Sequence, residues 1–207
     1  METRSVSADQ LTADEWQEIL NITHAAFSEH RERGLHMKPC NVTLEEHQAF
    51  LKDCQVFQIK ENNKLIAYKA GKVQTSGNHK FFQVRLTCVS PVHKGKGLGK
   101  KVHIMLEDWA LAQGCVYLRT DTSCKAKSSY AYHHACGFED WFYISFPTTN
   151  YYSIVLRKEL PAGKRMARRE RYKSLFLSYV TTHLFYDENG RERICSKWIR
   201  SLIRKKS

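Results

Sequence analysis

Between residues 94 and 101 the chain reads Lys-Gly-Lys-Gly-Leu-Gly-Lys-Lys, with glycines at 95, 97 and 99 and lysines at 94, 96, 100 and 101. Glycine has no Cβ, so an anion can approach the backbone N–H groups of such a stretch closely. The lysines add positive charge. Upstream, FFQVRLTCVS (81–90) reads as a buried strand. Downstream, Leu98, Val102, Met105, Leu106, Trp109 and Ala110 form one stripe of a helix that Gly114 ends. The glycines therefore stand at a strand-to-helix junction. There the first turn of the helix leaves N–H groups unpaired at the positive end of its dipole, and a pyrophosphate is the natural ligand. Neither of two common phosphate loops fits. The pattern Gly-x-x-x-x-Gly-Lys-Ser/Thr is absent, and the glycine spacing fails Gly-x-Gly-x-x-Gly. The preceding strand is also the third of a meander, not the first of a βαβ unit.

A second group of reactive side chains lies in Cys124–Phe138, CKAKSSYAYHHACGF, which reads as a helix followed by Gly137 and a strand. Tyr130, Tyr132 and His133 can each move a proton. A histidine, with an ordinary pKa of about 6.5, does so near neutrality. His133 and His134 are adjacent and so point in different directions on a helix, which argues against a metal pair. No metal is expected.

Val89-x-Pro91-x-x-Lys94-Gly95-x-Gly97-Leu98-Gly99 resembles motif A of the GNAT acetyltransferases, usually Arg or Gln, two residues, Gly, one residue, then Gly or Ala. Lys94 stands where the family has Arg or Gln. Gly137-Phe138 resembles the end of the family's next helix, L-Tyr-x-x-x-Gly-Phe. His133 takes the place of that Tyr, and Ala126 that of an Asn near the helix start. The resemblance covers about residues 1–160. It implies the GNAT fold, with acetyl-CoA or a related acyl-CoA in the V between strands 81–90 and 115–121. The backbone of Cys88 and Val89 would pair with the pantetheine arm. Lys94, Gly95, Lys96, Gly97, Leu98, Gly99 and Lys100 would form the cofactor loop, with amides from Gly95 to Lys100 on the pyrophosphate. A neutral amine would attack the thioester carbonyl, form a tetrahedral oxyanion and expel CoA as a thiolate. His133, or Tyr132 or Tyr130 with the helix rotated, would protonate that thiolate. A backbone N–H at a strand irregularity near Cys88–Val89 would hold the oxyanion. The base for the amine stays open among Glu29, His30, Glu32, His36 and water. Cys88 and Cys136 read as buried thiols more readily than as acyl carriers.

Other elements must position these groups. Thr12-x-x-Glu15 and Thr43-x-x-Glu46 are capping boxes that open two helices, the first with Trp16, Ile19, Leu20, Thr23 and Phe27 on one face. Ser28–Asn41, with Gly34 and Pro39, reads as a loop or broken helix. Strands are expected at 55–60, 65–74, 81–90, 115–121, 138–146 and 151–160, with a helix at 124–136. The fold class is α/β (α+β): a mixed, mostly antiparallel sheet flanked by helices. Residues 1–160 form the catalytic domain and 161–207 a basic amphipathic helical appendage.

Net charge is +12 over 207 residues, and residues 161–207 hold 13 Lys and Arg against 4 acids. The basic character thus belongs to the tail. Tyr172, Leu175, Phe176, Tyr179, Val180 and Leu184 lie at helical spacing. DENG (187–190) is a turn, and Ile194, Cys195, Trp198, Ile199, Leu202 and Ile203 mark a second helix. Basic, aromatic and amphipathic segments suit docking on the domain, a second copy, or an anionic membrane surface. Nucleic acid is disfavoured because no recognition motif is present. Seven cysteines without a Cys-x-x-Cys pair point to a reducing cytosol. No signal peptide or membrane-length apolar run is seen, so the expectation is a cytoplasmic protein, peripheral on the inner membrane face. The acceptor walls, Ser28–Asn41 and Phe146–Tyr152, carry His30, Arg31, Arg33 and His36 beside Glu29 and Glu32 and do not read as acidic. That favours an amine on a small molecule or an anionic amino sugar. A protein α-amine or lysine, and a noncatalytic acyl-CoA- or nucleic-acid-binding module, are the alternatives.

Overall fold

The computed structural model describes residues 1–163 and 166–193, which fall into two compact units. The first comprises residues 1–120 and 158–164, the second 121–157 and 165–207. The division passes through two strands and does not follow the composition shift at Leu160.

The first unit is built on strands β1 (Glu2–Ser7), β2 (Gln55–Glu61), β3 (Lys64–Ser76) and β4 (His79–Val89), each antiparallel to the next. Helices α1 (Ala13–Glu32), α2 (Leu44–Leu51) and α3 (Leu98–Ala112) belong to it. Both expected capping boxes form, at Thr12/Glu15 and Thr43/Glu46. On one sheet face Val56, Tyr68, Ala70, Leu86 and Cys88 pack with Trp16, Ile19 and Ile22 of α1 and with Leu51. On the other, Phe57, Phe82 and Trp109 of α3 meet edge to face, with centroids 5.7–6.2 Å apart. These contacts seat α3, and so fix the loop before it.

The second unit contains α4 (Lys127–Ala135), β6 (Glu139–Ser145), most of β7 (Tyr152–Glu159) and α5 (Arg168–Phe185). Strand β5 (Tyr117–Ser123) runs from the first unit into the second. The sheet order is β1-β2-β3-β4-β5-β7-β6, with β4 and β5 parallel. Strand β6 is thus an edge strand, and α5 covers it. Ser178 Oγ accepts the Tyr143 N–H at 3.0 Å, and Thr182 Oγ1 donates to the Tyr143 carbonyl at 3.1 Å. Arg171 pairs with Glu139.

Two sequence expectations change, and a third is not tested. Helix α1 extends to Glu32, so residues 28–32 are not loop. Glu29, Arg31 and Glu32 are exposed there, His30 is buried, and Gly34, at φ 69°, ends the helix. Strand β1 was not expected. Only Val6 of its six residues is buried, so it carries almost no apolar alternation, and pairing with β2 creates it. The expected helix at 194–203 lies outside the described residues.

Candidate active site

Strand β4 carries an irregularity. Ala70 faces Leu86 but Gly71 faces Val84, which leaves Arg85 as the extra residue of a bulge. Gly71 lies opposite it. A Cβ there would stand 2.3 Å from the Gln83 carbonyl oxygen and 2.5 Å from the Phe82 ring. Arg85 turns to the other strand-flanking layer, where it donates to the Phe50 carbonyl and lies over the Phe50 ring. The irregularity of this strand thus lies at Arg85, three residues before Cys88, and the pairing at Cys88 and Val89, where it was expected, is regular.

The parallel ladder between β4 and β5 covers only Phe81–Gln83 against Tyr117–Arg119. Past it, Ser90 N–H bonds the Ile66 carbonyl at 2.9 Å, which sets the phase of the β3–β4 ladder. In that phase Cys88 exchanges its backbone bonds with Tyr68, whereas Thr87 and Val89 turn their N–H and C=O away from β3. Of the expected pair, Val89 offers backbone groups at that edge, and Cys88 supplies a core side chain. Burial pushes the Cys88 thiol up to about 12, which removes it as a thiolate nucleophile near neutrality.

Cys88 belongs to a buried polar cluster that sequence reasoning missed. Thr23 donates to the Ile19 carbonyl at 2.6 Å and accepts from Tyr68 OH at 2.6 Å. The Cys88 thiol lies 3.9 Å from Thr23 Oγ1, and His47 Nε2 lies 3.4 Å from it. Burial, with smaller contributions from His24 and Lys38, lowers His47 to about 4. The cluster fastens α1 to β3 and β4. Its one sequence signal was Thr23 on the apolar face of α1. On the opposite sheet face, fully buried Lys69 donates to His103 Nδ1 of α3 at 3.1 Å, and Lys158 binds Glu107 at 2.5 Å one turn later.

After β4 a short 3-10 turn (Pro91–His93) leads to the glycine loop. His93 Nε2 lies 3.5 Å from Glu61, which ties the turn to the end of β2. Gly95 and Gly97 adopt φ of 80° and 76°, left-handed backbone that glycine accepts without strain, and Gly97 is the N-cap of α3. The Lys94 and Lys96 amides turn back onto the Pro91 and His93 carbonyls at 3.3 and 3.4 Å. Among the described residues no acceptor meets the amides of Gly95, Gly97, Leu98 or Lys100. Leu98 is buried and anchors the helix start, while Gly95, Lys96, Gly97 and Lys100 are exposed. The first turn of α3 holds no acid. Lys94 is engaged with Glu29 at 3.5 Å; Lys96, Lys100 and Lys101 have no acidic partner among the described residues. Those four amides are thus left without an acceptor among the described residues, while that of Lys96, expected with them, is taken.

In the second unit, α4 places the three candidate proton donors differently. His133 is 5% exposed and packs edge-on to Phe138, with ring centroids 5.4 Å apart. Its carbonyl accepts the N–H groups of Cys136 and Phe138, so the Gly137-Phe138 turn holds it in place. Tyr132 is half-buried against the His133 ring. Tyr130 points to β6, where its hydroxyl donates to Asp140 Oδ2 at 2.7 Å, and His134 donates to Oδ1 at 2.9 Å. Burial, then the bond to Asp140, raises the Tyr130 phenol well above its ordinary range. Asp140 was not anticipated, because its two partners come from one face of α4 and it comes from the next strand. No group of three or more metal-binding side chains gathers among the described residues.

The profile of the Acetyltransferase (GNAT) family matches residues 16–138, more than half of the chain. No match is found among curated protein sequences. Among solved structures, the chain is similar to the ribosomal-protein-S18-alanine N-acetyltransferase from Escherichia coli, at 16% identity and TM-score 0.57, covering 81% of this chain and 98% of that one. It is similar to an N-acetyltransferase from Staphylococcus aureus Mu50, at 16% identity and TM-score 0.57, covering 77% and 98%. An aminoglycoside 6'-N-acetyltransferase complexed with coenzyme A matches at 10% identity and TM-score 0.59, covering 81% and 100%. With the fold, the loop and the family profile in agreement, the chain belongs to the GNAT family and is an acyl-CoA-dependent N-acyltransferase.

Proposed function

We propose that the protein transfers an acetyl group from acetyl-CoA to a primary amine of a small molecule or amino sugar, including a lipid- or nucleotide-linked one, at the cytoplasmic face of a membrane. The observation that carries the cofactor half is the set of amides at Gly95, Gly97, Leu98 and Lys100 that lack an acceptor, beside Lys96, Lys100 and Lys101, which lack an acidic partner, among the described residues. Backbone N–H groups at a helix start suit a diphosphate. Val89 offers the strand-like bonds for the pantetheine amides, and Lys94, Gly99 and Cys88 shape the loop and strand around them.

The amine attacks the thioester carbonyl and the C–S bond breaks. The attacking nitrogen loses a proton to water, and His133 gives one to the departing sulfur, which leaves as the free thiol. His133 is favoured over Tyr130, whose hydrogen is engaged with Asp140. Arg31 in the last turn of α1, with Arg33 and His36 after it, is exposed, and the three favour an acceptor bearing a phosphate or carboxylate.

Two measurements test this. At a hundredfold excess over its dissociation constant, acetyl-CoA stabilises the fold by about 2.7 kcal/mol, a rise of roughly 5–10 °C in melting temperature. An unchanged melting temperature overturns the cofactor assignment. A panel of amines followed by thiol release then separates amino sugars from peptide α-amines and lysines. Turnover confined to peptides overturns the acceptor class alone.

A further inference from the structure

Helix α5 docks through polar bonds and through the rings of Tyr179 and His183, and no described residue covers its apolar side. Ser178 and Thr182 hold the Tyr143 backbone, and Arg171 pairs with Glu139. On the opposite face Phe176, Val180 and Leu184 recur at four-residue spacing, with Leu177 beside them. Phe176 is 68% exposed, Leu184 55% and Leu177 50%, and Tyr172 and Tyr179 are exposed at the flank. A helix that only covered the sheet would have the reverse arrangement. An apolar patch of this kind marks an interaction surface.

Charge identifies the occupant. The exposed N-terminal turns carry Arg168, Arg169 and Lys173, and Glu170 is the one acid in α5. Beyond α5 the chain doubles back. Tyr186 bridges Glu192 in antiparallel fashion, and Arg193 N–H donates to the Phe185 carbonyl at 2.8 Å. The sequence that follows, 194–207, adds five cations and no acid.

We propose that the outward face of α5 docks on an anionic phospholipid surface. An apolar stripe flanked by cations and tyrosines matches the boundary between headgroups and acyl chains. A second copy would set the same cations against each other. A nucleic-acid backbone would pair the cations but leave Leu177, Val180 and Leu184 in water. The inference concerns this surface alone and does not depend on the acceptor.

The test is flotation of the full chain with vesicles of phosphatidylcholine, alone or mixed with phosphatidylglycerol. The protein floats with the mixed vesicles and not with the neutral ones, and added salt weakens the association. F176S/L184S lowers partitioning roughly tenfold or more. R168Q/R169Q/K173Q lowers it about fivefold per cation removed. All the substituted side chains are exposed, so both variants keep the wild-type melting temperature and its rise with acetyl-CoA. Equal flotation with neutral vesicles overturns the proposal. So does undiminished flotation of F176S/L184S. A dimer, or binding to a DNA duplex, that F176S/L184S abolishes while neither protein floats also overturns it. The acetyl-CoA shift is read separately, so failure of the surface and failure of the enzyme assignment remain distinct.

Discussion

Tyr130 gives its hydroxyl hydrogen to Asp140 at 2.7 Å, and His134, one turn along α4, holds the other carboxylate oxygen at 2.9 Å. A phenol so placed is occupied, and its bond to the carboxylate pins α4 to β6.

The first prediction follows from that bond. Y130F keeps kcat within about twofold and lowers stability by about 1 kcal/mol, the usual net value of one hydrogen bond. H133F, which keeps a ring against Phe138, lowers kcat by about a hundredfold or more while leaving KM for acetyl-CoA nearly unchanged. Steady-state kinetics on both decides between them. Loss of turnover in Y130F alone would reassign the donor.

Gly97 is the left-handed N-cap of the loop, with open space where a Cβ would go. G97A therefore meets backbone strain, not a clash, of about 1–2 kcal/mol. If the loop relaxes out of its conformation, KM for acetyl-CoA rises roughly 5- to 30-fold with little change in kcat, measured by thiol release at varied acetyl-CoA.

Gly71 is the opposite case. Its backbone is ordinary, but the Gln83 carbonyl leaves no room for a methyl group. G71A forces β3 and β4 apart at the bulge and costs about 1–3 kcal/mol. Thermal melting should show a loss of several degrees.

His47 gives a pH dependence. Its folded value, about 4, lies below the ordinary 6.5 because burial disfavours the charged ring. The unfolded chain therefore binds the proton first. Stability is fully present above about pH 6.5 and declines as pH falls towards 4, by about 3 kcal/mol in all. Urea titrations at a series of pH values should show a steeper loss for the wild type than for H47Q across that window. Identical slopes would refute the assignment.

The sequence made the loop legible because strand, glycines and helix stripe are contiguous there. The capping boxes were legible for the same reason. It did not reveal β1, whose pairing with β2 spans some fifty residues and leaves almost no alternation. Nor did it reveal the Thr23–Tyr68–Cys88–His47 cluster or Asp140 beside Tyr130 and His134. Those groups meet only when elements pack, and each residue alone looks like an ordinary core or surface side chain. The tail showed the converse difficulty. Its helical period was plain, but which side faced the sheet was not, because the side that docks does so through serine, threonine, arginine and the rings of Tyr179 and His183 rather than through the aliphatic stripe.

Ser178 and Thr182 do more than fasten α5. They occupy the N–H and C=O of Tyr143 on an edge strand, groups that would otherwise offer a template to a strand from another molecule. Shortening the chain at Leu160 would uncover that margin and invite end-to-end polymerisation. Helix α5 thus also closes the margin of β6.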